Sequence, residues 1–192
     1  TECKEMKIDV LGPDINESEM DFTVNAKGQI RFGLSALKGM GEGPVEAILT
    51  ERESNGKFVD LFDFMRRMNL RTVNKKCMEA LVLSGALDNF TIAHRAQYFL
   101  PSEKYDTYID HLLRWGSQVQ ASHDNLQASL FGDVDNIIAE GPNPPPAQIW
   151  SLPIKLSKEK EVAGIFFSGH PLDDYRQEIK HLANATILDI DN

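Results

Sequence analysis

Three glycines spaced around a hydrophobic residue, Gly39-Met40-Gly41 followed by Gly43, are the residues of this chain best suited to binding chemistry. In a tight turn of this form, glycine lets the backbone adopt conformations closed to other residues and approach an anion closely. Free N–H groups at the start of the next helix can then point at a phosphate, which the helix dipole also favours. Contacts of this kind recognise the sugar-phosphate backbone and carry no base sequence. The pattern therefore predicts a helix-hairpin-helix that binds DNA through Lys38, Gly39, Met40, Gly41 and Gly43.

The same glycines also fit a corner between two helices that needs glycine only for its turn. Glu42 places a negative charge in the turn, where a phosphate-binding loop is expected to be neutral or basic. Val45 stands where many such motifs carry a small alanine. No Gly-Lys-Ser/Thr sequence follows, so the turn is not the phosphate-binding loop of nucleotide hydrolases. Both interpretations, the DNA-binding hairpin and the structural corner, therefore stay open.

A second candidate phosphate site is a cluster of basic residues in a chain that is otherwise acidic. Five cations lie within eleven positions that contain no acid: Arg66, Arg67, Arg71, Lys75 and Lys76. They belong to residues 61–87, which have the pattern of a second helix-hairpin-helix unit without the Gly-x-Gly turn. A basic patch leading into a helix N-terminus favours phosphate. The alternative is a solvated face that binds nothing.

A third candidate is a pair of apolar residues, Leu130 and Phe131, in a polar stretch that precedes the proline-rich run 142–146. Adjacent apolar side chains can fill a hydrophobic pocket on a partner. Gln127, with two donors and an acceptor, can fix the register of an extended backbone. With Ser129, these residues resemble the peptide that bacterial replication proteins insert into the sliding clamp. The alternative is that Leu130 and Phe131 pin a loop to the chain's own core.

No arrangement of residues typical of catalysis is found in the sequence. None of the five histidines lies at a metal-ligand spacing from a cysteine or another histidine. Asp173 and Asp174 follow His170, but Ser168-Gly169-His170-Pro171 is more simply a helix stop in which His170 makes local hydrogen bonds. The two Asp-x-Asp sequences, 133–135 and 189–191, lie in polar or terminal segments and not on a strand. The sequence therefore predicts no catalytic residue, no metal site and no cofactor.

Composition narrows the class of protein further. A chain of 192 residues with 42% hydrophobic residues is long enough for one ordinary domain or two small ones. The net charge of −9 argues against a protein that coats nucleic acid over its whole surface, although a local basic site is compatible with it. Two cysteines without a pairing pattern suggest a reducing compartment. No apolar run approaches the ~20 residues of a membrane helix, and the absent initiator methionine suggests a piece of a longer protein.

The periodicity predicts a mainly α protein with a small N-terminal β-hairpin. Residues 21–24 and 29–32 alternate as strands around a turn ending at Gly28, which needs positive φ. Helical periodicity then begins at Leu34. The predicted elements are a strand at 7–11, a short helix at 34–38, a helix opened by Gly43-Pro44, helices at 61–68 and from Asn74 or Thr72 to Ser84, one or two helices within 95–115, and helices at 154–167 and 172–182.

Taken in order, these pieces resemble the family of α subunits of bacterial DNA polymerase III, the replicative polymerases of the C family. The resemblance covers nearly the whole chain, and its co-linear order is far more specific than any single motif. It is carried by residues 10–16, 21–23, 30–34, the hairpin 38–43, and residues 61–63, 79–81, 84–88, 130–132, 159–161 and 164–175. Family members commonly carry an acid at the hairpin turn, so Glu42 is ordinary in this context.

The resemblance implies a part of the subunit that lies after the palm and stops short of the OB-fold. Residues 1–33 would end the fingers, 34–117 would form a tandem helix-hairpin-helix, 118–147 a flexible clamp-binding loop with a proline-rich linker, and 148–192 a helical segment. The implied partners are duplex DNA, the sliding clamp (the β subunit) through Gln127, Ser129, Leu130 and Phe131, and other replicase subunits. No membrane is implied, and the place is the bacterial cytoplasm. The catalytic aspartates and the Mg that the parent polymerase would use belong to the palm, so this part by itself would be inactive.

Two other functions remain possible from the sequence. A DNA-repair protein could use the same hairpin as a general grip on duplex DNA, but it would not need the segments around Leu130 and Ser168 in this order. A protein-interaction scaffold that never touches DNA agrees with the acidic net charge. Binding of duplex DNA at low and moderate salt separates these possibilities.

Overall fold

A computed structural model describes residue 6, residues 8–126 and residues 140–172. Its elements are three two-residue strands, β1 (Val10–Leu11), β2 (Thr23–Val24) and β3 (Ile30–Arg31), the α-helices α1 (Glu42–Asn55), α2 (Leu61–Arg67), α3 (Lys75–Ser84), α4 (Tyr108–Leu126) and α5 (Leu152–Ala163), and a 3-10 helix, η1 (Arg95–Phe99). The prediction of a mainly α fold with a small N-terminal sheet is confirmed.

The small sheet contains the predicted hairpin. β3 lies in the centre, with β2 antiparallel to it and β1 parallel to it on the other side. The turn between β2 and β3 is closed by Asn25, whose side-chain oxygen accepts hydrogen bonds from the N–H groups of Lys27 and Gln29, and Gly28 adopts φ +74°. Hydrogen bonding by an Asn side chain to the following backbone and a glycine at positive φ are the local signals that predict such a turn.

The helix predicted at residues 34–38 does not form, and this prediction is wrong. The segment makes two successive turns, in which the N–H of Leu37 bonds to the carbonyl of Leu34 and the N–H of Met40 to that of Leu37. The N–H of Lys38 donates instead to the carbonyl of Val162 in α5, at 2.7 Å. A tertiary hydrogen bond has therefore replaced the local one that a helix would need.

The ends of the next helices follow local capping chemistry. The side chain of Asp60 accepts a hydrogen bond from the N–H of Asp63 and so caps α2, and Asn74 caps α3 in the same way. α3 ends at Ser84, as predicted, and Gly85 follows it in the left-handed conformation. α5 ends at Ala163 because Gly164 adopts φ +77°, so the prediction that this helix reaches residue 167 is wrong.

α4 extends beyond its predicted end near Trp115 and covers residues 118–126, which the sequence places in the linker. Gly116 lies against α2, where an added Cβ would stand 3.1 Å from the carbonyl oxygen of Met65. The side-chain amide of Gln120 donates to the carbonyls of Met65, Arg66 and Met68 at 3.0, 3.2 and 2.8 Å. These are carbonyls at the C-terminal end of α2, which lack partners within the helix. Residues 118–126 therefore continue α4, and Gln120 on this part of the helix caps α2.

The proline-rich segment, which the sequence analysis places as a linker after the clamp-binding loop, is packed against the helices. Gly141 lies on the ring of Phe62, where an added Cβ would stand 2.1 Å from a ring carbon. The hydroxyl of Tyr108 donates to the carbonyl of Pro142 at 2.6 Å, and the side-chain amide of Gln97 donates to that of Pro145 at 2.8 Å. Proline has no N–H to donate but keeps a carbonyl that can accept. Side chains of the helices donate the hydrogen bonds that two of these carbonyls accept.

A buried ionic cluster joins α5 to the region after α3. Glu159 is fully buried and accepts hydrogen bonds from the guanidinium of Arg95 and from the backbone N–H groups of Phe167 and Ser168. Arg95 also donates to Asp88. Burial acts to raise the pKa of Glu159, but the hydrogen bonds from Ser168, Phe167 and Arg95 outweigh it, so that its pKa lies below the usual value. The carboxylate therefore stays charged and fixes the turn that follows α5.

Candidate nucleic-acid interface

The glycine hairpin presents an open helix N-terminus. Gly39 adopts φ +102°, and Gly41 is the N-terminal cap of the 14-residue helix α1 with no side chain bonded to it. The first N–H groups of an α-helix have no carbonyl partner within the helix. In α1 these belong to the exposed residues Glu42 and Gly43, whereas Pro44 has no N–H. The geometry is therefore that of an anion site made of backbone N–H groups.

Buried apolar residues of the hairpin anchor it to the core. Leu37 is 1% exposed, Met40 8% and Val45 is fully buried. Met40, which the sequence analysis groups with the DNA-binding residues, is therefore buried beneath the turn and not on its outer side. The turn is consequently a rigid feature of the core surface, and its outer side carries the exposed glycines.

The hairpin also contacts the start of α3, in the second unit. The aliphatic stem of Lys76 passes 3.5 Å from the position that a Cβ on Gly39 would occupy. The thiol of Cys77 lies 3.8 Å from the carbonyl oxygen of Gly39. The N-terminus of α3 and the hairpin before α1 are therefore neighbours, which sequence separation alone does not reveal.

Three of the predicted basic residues reach solvent without a partner. The side chains of Lys38, Arg71 and Lys76 are exposed, and within residues 8–126 and 140–172 they make no hydrogen bond or ion pair. A cation that has no internal carboxylate partner keeps its full charge for an external phosphate. These residues are the ones best placed to supplement the N–H groups of the hairpin.

Arg67 is used inside the molecule instead. Its Nε donates to the carboxylate of Glu51 at 2.8 Å, and one terminal nitrogen donates to Asp63 at 3.0 Å. The other terminal nitrogen donates to the backbone carbonyls of Glu51 and Gly56. The guanidinium also lies 4.4 Å from the centre of the Phe58 ring. Arg67 therefore joins α2 to the end of α1, and we leave it out of the interface.

Lys75 and Arg66 each have a contact inside the molecule but stay accessible to solvent. Lys75 Nζ donates to Asp110 of α4 at 2.8 Å while 44% of its side chain stays exposed. The hydrogen bond with Asp110 raises the pKa of Lys75 in spite of partial burial. Burial acts to raise the pKa of Asp110, but hydrogen bonds from Lys75 and Thr107 lower it overall. The exposed Arg66 lies over the Trp115 ring, with its guanidinium carbon 5.3 Å from the ring centre.

The clamp-peptide residues Gln127, Ser129, Leu130 and Phe131 lie outside the described residues, as do Asp173, Asp174 and both Asp-x-Asp sequences. In the described part of the chain, no three His, Cys, Asp or Glu side chains come together as a metal site would require. No helix of that part is long and apolar enough to cross a membrane. The predicted local hydrogen bond of His170 is present, since its Nδ1 accepts from the N–H of Leu172 at 3.2 Å.

Sequence reasoning missed the acids that neutralise the basic cluster. Glu51 and Asp110 lie outside residues 66–76, so a search for acids within the cluster could not find them. The N–H of Asp110 donates to the hydroxyl oxygen of Thr107, which caps the start of α4, and that hydroxyl donates to the Asp110 carboxylate. The Thr-x-x-Asp spacing was a signal for the start of this helix. Nothing local indicated that the same carboxylate would also bind Lys75.

The comparisons with known proteins agree with this geometry. A family model described as a helix-hairpin-helix motif matches residues 7–98, which include both hairpin units. DNA polymerase III subunit alpha of Pseudomonas aeruginosa is 36% identical over 205 aligned residues, covering 98% of this chain and 17% of that protein. The same subunit is 38% identical over 183 residues in Vibrio cholerae and 33% identical over 194 residues in Escherichia coli K12, covering 15% and 16% of those proteins.

The chain therefore carries a helix-hairpin-helix motif within residues 7–98. Over nearly its whole length it is homologous to a segment of DNA polymerase III subunit alpha, which confirms the resemblance found in the sequence. The chain spans about one sixth of the length of these relatives.

Proposed function

We propose that this chain is a non-catalytic part of a replicative DNA polymerase, a DNA-directed nucleotidyltransferase, that binds duplex DNA through its phosphates and tethers the enzyme to the sliding clamp. The observation that carries the proposal is the rigid turn at Gly39–Gly43, with the uncapped N-terminus of α1 beside the exposed cation of Lys76. Homology to the polymerase subunit supports the replicative role. Such a role places the protein in the bacterial cytoplasm with other replicase subunits as partners.

The division of labour within the parent enzyme follows from this proposal. The catalytic aspartates and the Mg ions of the parent polymerase would lie in the palm, outside this chain. Residues 1–33 would end the fingers, residues 34–117 would hold the duplex behind the primer end, and residues 148–192 would lead toward the OB-fold. The clamp peptide would lie between the last two parts.

Phosphate contact by the hairpin would be weak and indifferent to sequence. Backbone N–H groups of α1 would bind one phosphate, and Lys38, Lys76 and Arg71 would add charge around it. Glu42 would weaken the field of the helix N-terminus at the same place, so the contact would be looser than in a purely basic loop. Contacts of this kind position a protein on DNA and still let it slide.

The clamp peptide would convert this weak binding into processivity. Leu130 and Phe131 would fill a hydrophobic pocket of the clamp while Gln127 and Ser129 fix the register of the peptide. A clamp that encircles DNA would raise the effective concentration of the duplex near the hairpin. Two modest affinities would then combine into durable attachment.

Salt-dependent DNA binding tests the first part of the proposal. Replacing both Lys38 and Lys76 by glutamine should lower the slope of log affinity against log salt by about 2, since each lost phosphate contact contributes ~0.9. Fluorescence anisotropy of a short labelled duplex measures this slope. Lys27→Gln, an exposed lysine in the β2–β3 turn, is the matched control. An unchanged slope in the double variant would reject the interface and favour a protein scaffold, which the net charge of −9 also allows.

Clamp titration tests the second part. The double variant Leu130→Ala and Phe131→Ala should lose measurable binding to a labelled sliding clamp, because two anchor side chains of this size contribute most of the affinity of a short peptide. Val59→Ala removes an apolar side chain, 83% exposed, that lies outside the clamp-peptide sequence, and this variant should bind normally. Circular dichroism should show the same helix content in all three proteins. Equal affinity of the wild type and the double variant would refute the assignment.

A further inference from the structure

The glycine turn is tied to the C-terminal end of α5, a helix that is remote from it in the sequence. The N–H of Lys38, directly before Gly39, donates to the carbonyl of Val162 at 2.7 Å. That carbonyl belongs to the last turn of α5, where carbonyls have no N–H partner within the helix. The bond therefore satisfies the end of α5 and at the same time fixes the backbone at the entrance to the glycine turn.

The end of α5 depends on the backbone conformation of Gly164. This exposed residue adopts φ +77°, and its N–H donates to the carbonyl of Lys160 at 3.0 Å, which closes the last turn of the helix. An added Cβ on Gly164 would meet nothing within 4 Å, so the backbone conformation is the only demand at this position. The place of the Val162 carbonyl is therefore set in part by a left-handed residue two positions later.

Glu159 fixes the same end of α5 from the interior. Its fully buried carboxylate accepts hydrogen bonds from the N–H groups of Phe167 and Ser168, at 2.7 and 3.0 Å. The guanidinium of Arg95 donates to the same carboxylate at 2.8 Å. The ring of Phe167 packs on that of Phe32, next to β3, with ring centres 4.9 Å apart. The chain that follows α5 is therefore clamped between a buried charge and the N-terminal sheet.

We propose that the end of α5 positions the DNA interface: Glu159 and Gly164 set the place of the Val162 carbonyl, and this carbonyl sets the glycine turn. The proposal rests on the proposed function, because it concerns how the same turn meets a phosphate. A site made of backbone N–H groups depends on their direction, which the packing around the turn must supply. A displaced Lys38 backbone turns the N–H groups of α1 away from the phosphate, although the exposed lysine side chains still reach it. Glu159 and Gly164 are positioning residues and do not themselves contact DNA.

A pair of glycine substitutions in the full 192-residue chain tests the link between α5 and the turn. Gly164→Ala strains the end of α5, whereas Gly28→Ala places a matched strain in the β2–β3 turn, at φ +74° and also with nothing within 4 Å of an added Cβ. Hydrogen exchange of the Lys38 amide should be about tenfold faster in Gly164→Ala and unchanged in Gly28→Ala. The amide of Ile15, which donates to the carbonyl of Ala86 at 2.9 Å, is the internal reference for opening of the whole fold.

Duplex binding by the same two variants, measured by fluorescence anisotropy, gives the functional result. Gly164→Ala should bind a labelled duplex about threefold to tenfold more weakly than Gly28→Ala. The slope of log affinity against log salt should be unchanged, because the cations that contact phosphate are intact.

A second pair of variants separates positioning from charge. Glu159→Gln should weaken duplex binding even though it removes a negative charge, which by itself favours DNA. Glu161→Gln removes an exposed acid of the same helix and should bind as tightly as the wild type or slightly more tightly. Urea denaturation first establishes that Glu159→Gln is folded, since its carboxylate is buried and paired. If that variant does not fold, Gly164→Ala, at an exposed position, decides the question.

The proposal is overturned if the Lys38 amide exchanges at the same rate in Gly164→Ala and Gly28→Ala, or if these two variants bind duplex equally well. Either result, with normal salt-dependent binding by the wild type, leaves the proposed function intact. Absence of salt-dependent binding by the wild type would overturn the proposed function, and the positioning role with it.

Discussion

The two hairpin units of this chain share a topology but use their charges differently. In the first unit, residues 34–55, the turn is built of glycines, the helix N-terminus is uncapped and Lys38 is unpaired in the described part of the chain. In the second unit, residues 61–84, Asn74 caps the helix, Arg67 is bound to Glu51 and Asp63, and Lys75 is bound to Asp110. The first unit therefore offers an anion the backbone N–H groups of an open helix N-terminus, whereas the second unit uses part of its charge inside the molecule and keeps Arg71 and Lys76 exposed.

The difference shows that a basic cluster in a sequence does not measure the charge available to a ligand. A cation that already has a carboxylate partner must lose that contact before it can bind phosphate. In the second unit, two of five basic residues bridge helices and so contribute to the fold. The second unit contributes one open cation, Lys76, directly to the first, because the stem of Lys76 crosses Gly39.

The largest expected difference in stability is between variants of Arg67, which is bound inside the molecule, and of Arg71, which is exposed. Arg67→Ala should lower the free energy of unfolding by about 2 kcal/mol, because it removes the charged donor that Glu51, Asp63 and the carbonyl of Gly56 share. Arg71→Ala should change it by less than about 0.5 kcal/mol, as expected for an exposed residue. Urea denaturation followed by circular dichroism measures both. Equal stability of the two variants would mean that Arg67 is not a structural residue.

Two glycine variants distinguish the role of the turn in stability from its role in DNA binding. Gly39→Ala should cost about 1–3 kcal/mol, because φ +102° is strained for any residue with a Cβ. Gly43→Ala should keep or slightly raise the stability, since an added Cβ meets nothing within 4 Å and alanine favours the helix. Its methyl group would nevertheless stand at the proposed phosphate site and weaken duplex binding by about threefold to tenfold. Thermal unfolding and DNA anisotropy on the same samples decide this, and unchanged DNA affinity in Gly43→Ala would move the site away from the turn.

The smallest effect concerns the ion pair of Lys75 and Asp110, and it depends on pH. Lys75→Gln should cost about 0.5 kcal/mol at neutral pH, because the pair is partly exposed. The pKa of Asp110 is lowered in the folded state, so its contribution is present above the ordinary pKa of an aspartate and is lost as pH falls through the folded value. The stability difference between wild type and variant should therefore shrink in acid.

Raising the pH gives the complementary measurement for the same pair. The pKa of Lys75 is raised, so its contribution is complete below the ordinary pKa of a lysine and is lost only as pH rises through the higher folded value. Urea unfolding at acidic, neutral and alkaline pH measures the whole window. Lys76→Gln is the control and should show no such window, since Lys76 makes no ion pair in the described part of the chain. If the difference in stability between wild type and Lys75→Gln is the same at all pH values, the ion pair of Lys75 and Asp110 does not form in solution.

Elements controlled by neighbouring residues were predicted well. The β-hairpin at Gly28 and the end of α3 at Ser84 follow from short-range chemistry, and the structure has both. Of the two predicted caps of α3, Asn74 and Thr72, the structure uses Asn74. Elements controlled by distant contacts were not. The N–H of Lys38 in the turn at 34–38 bonds to the distant carbonyl of Val162, and the unpredicted end of α4 carries Gln120, which caps α2. The proline-rich segment was taken for a linker because no local rule indicates that Tyr108 and Gln97 satisfy its carbonyls.

The sequence by itself determined the helical class of the fold, the glycine turn and the homology to a polymerase subunit, because these depend on residue type, spacing and order. Only the tertiary structure decided which charges remain available, since Glu51 and Asp110 reach the basic cluster from other helices. The tertiary structure also places Lys76 beside Gly39, 37 positions away in the chain, because the N-terminus of α3 packs against the glycine turn before α1. Charge is a property of a residue, but its availability is a property of the packing around it.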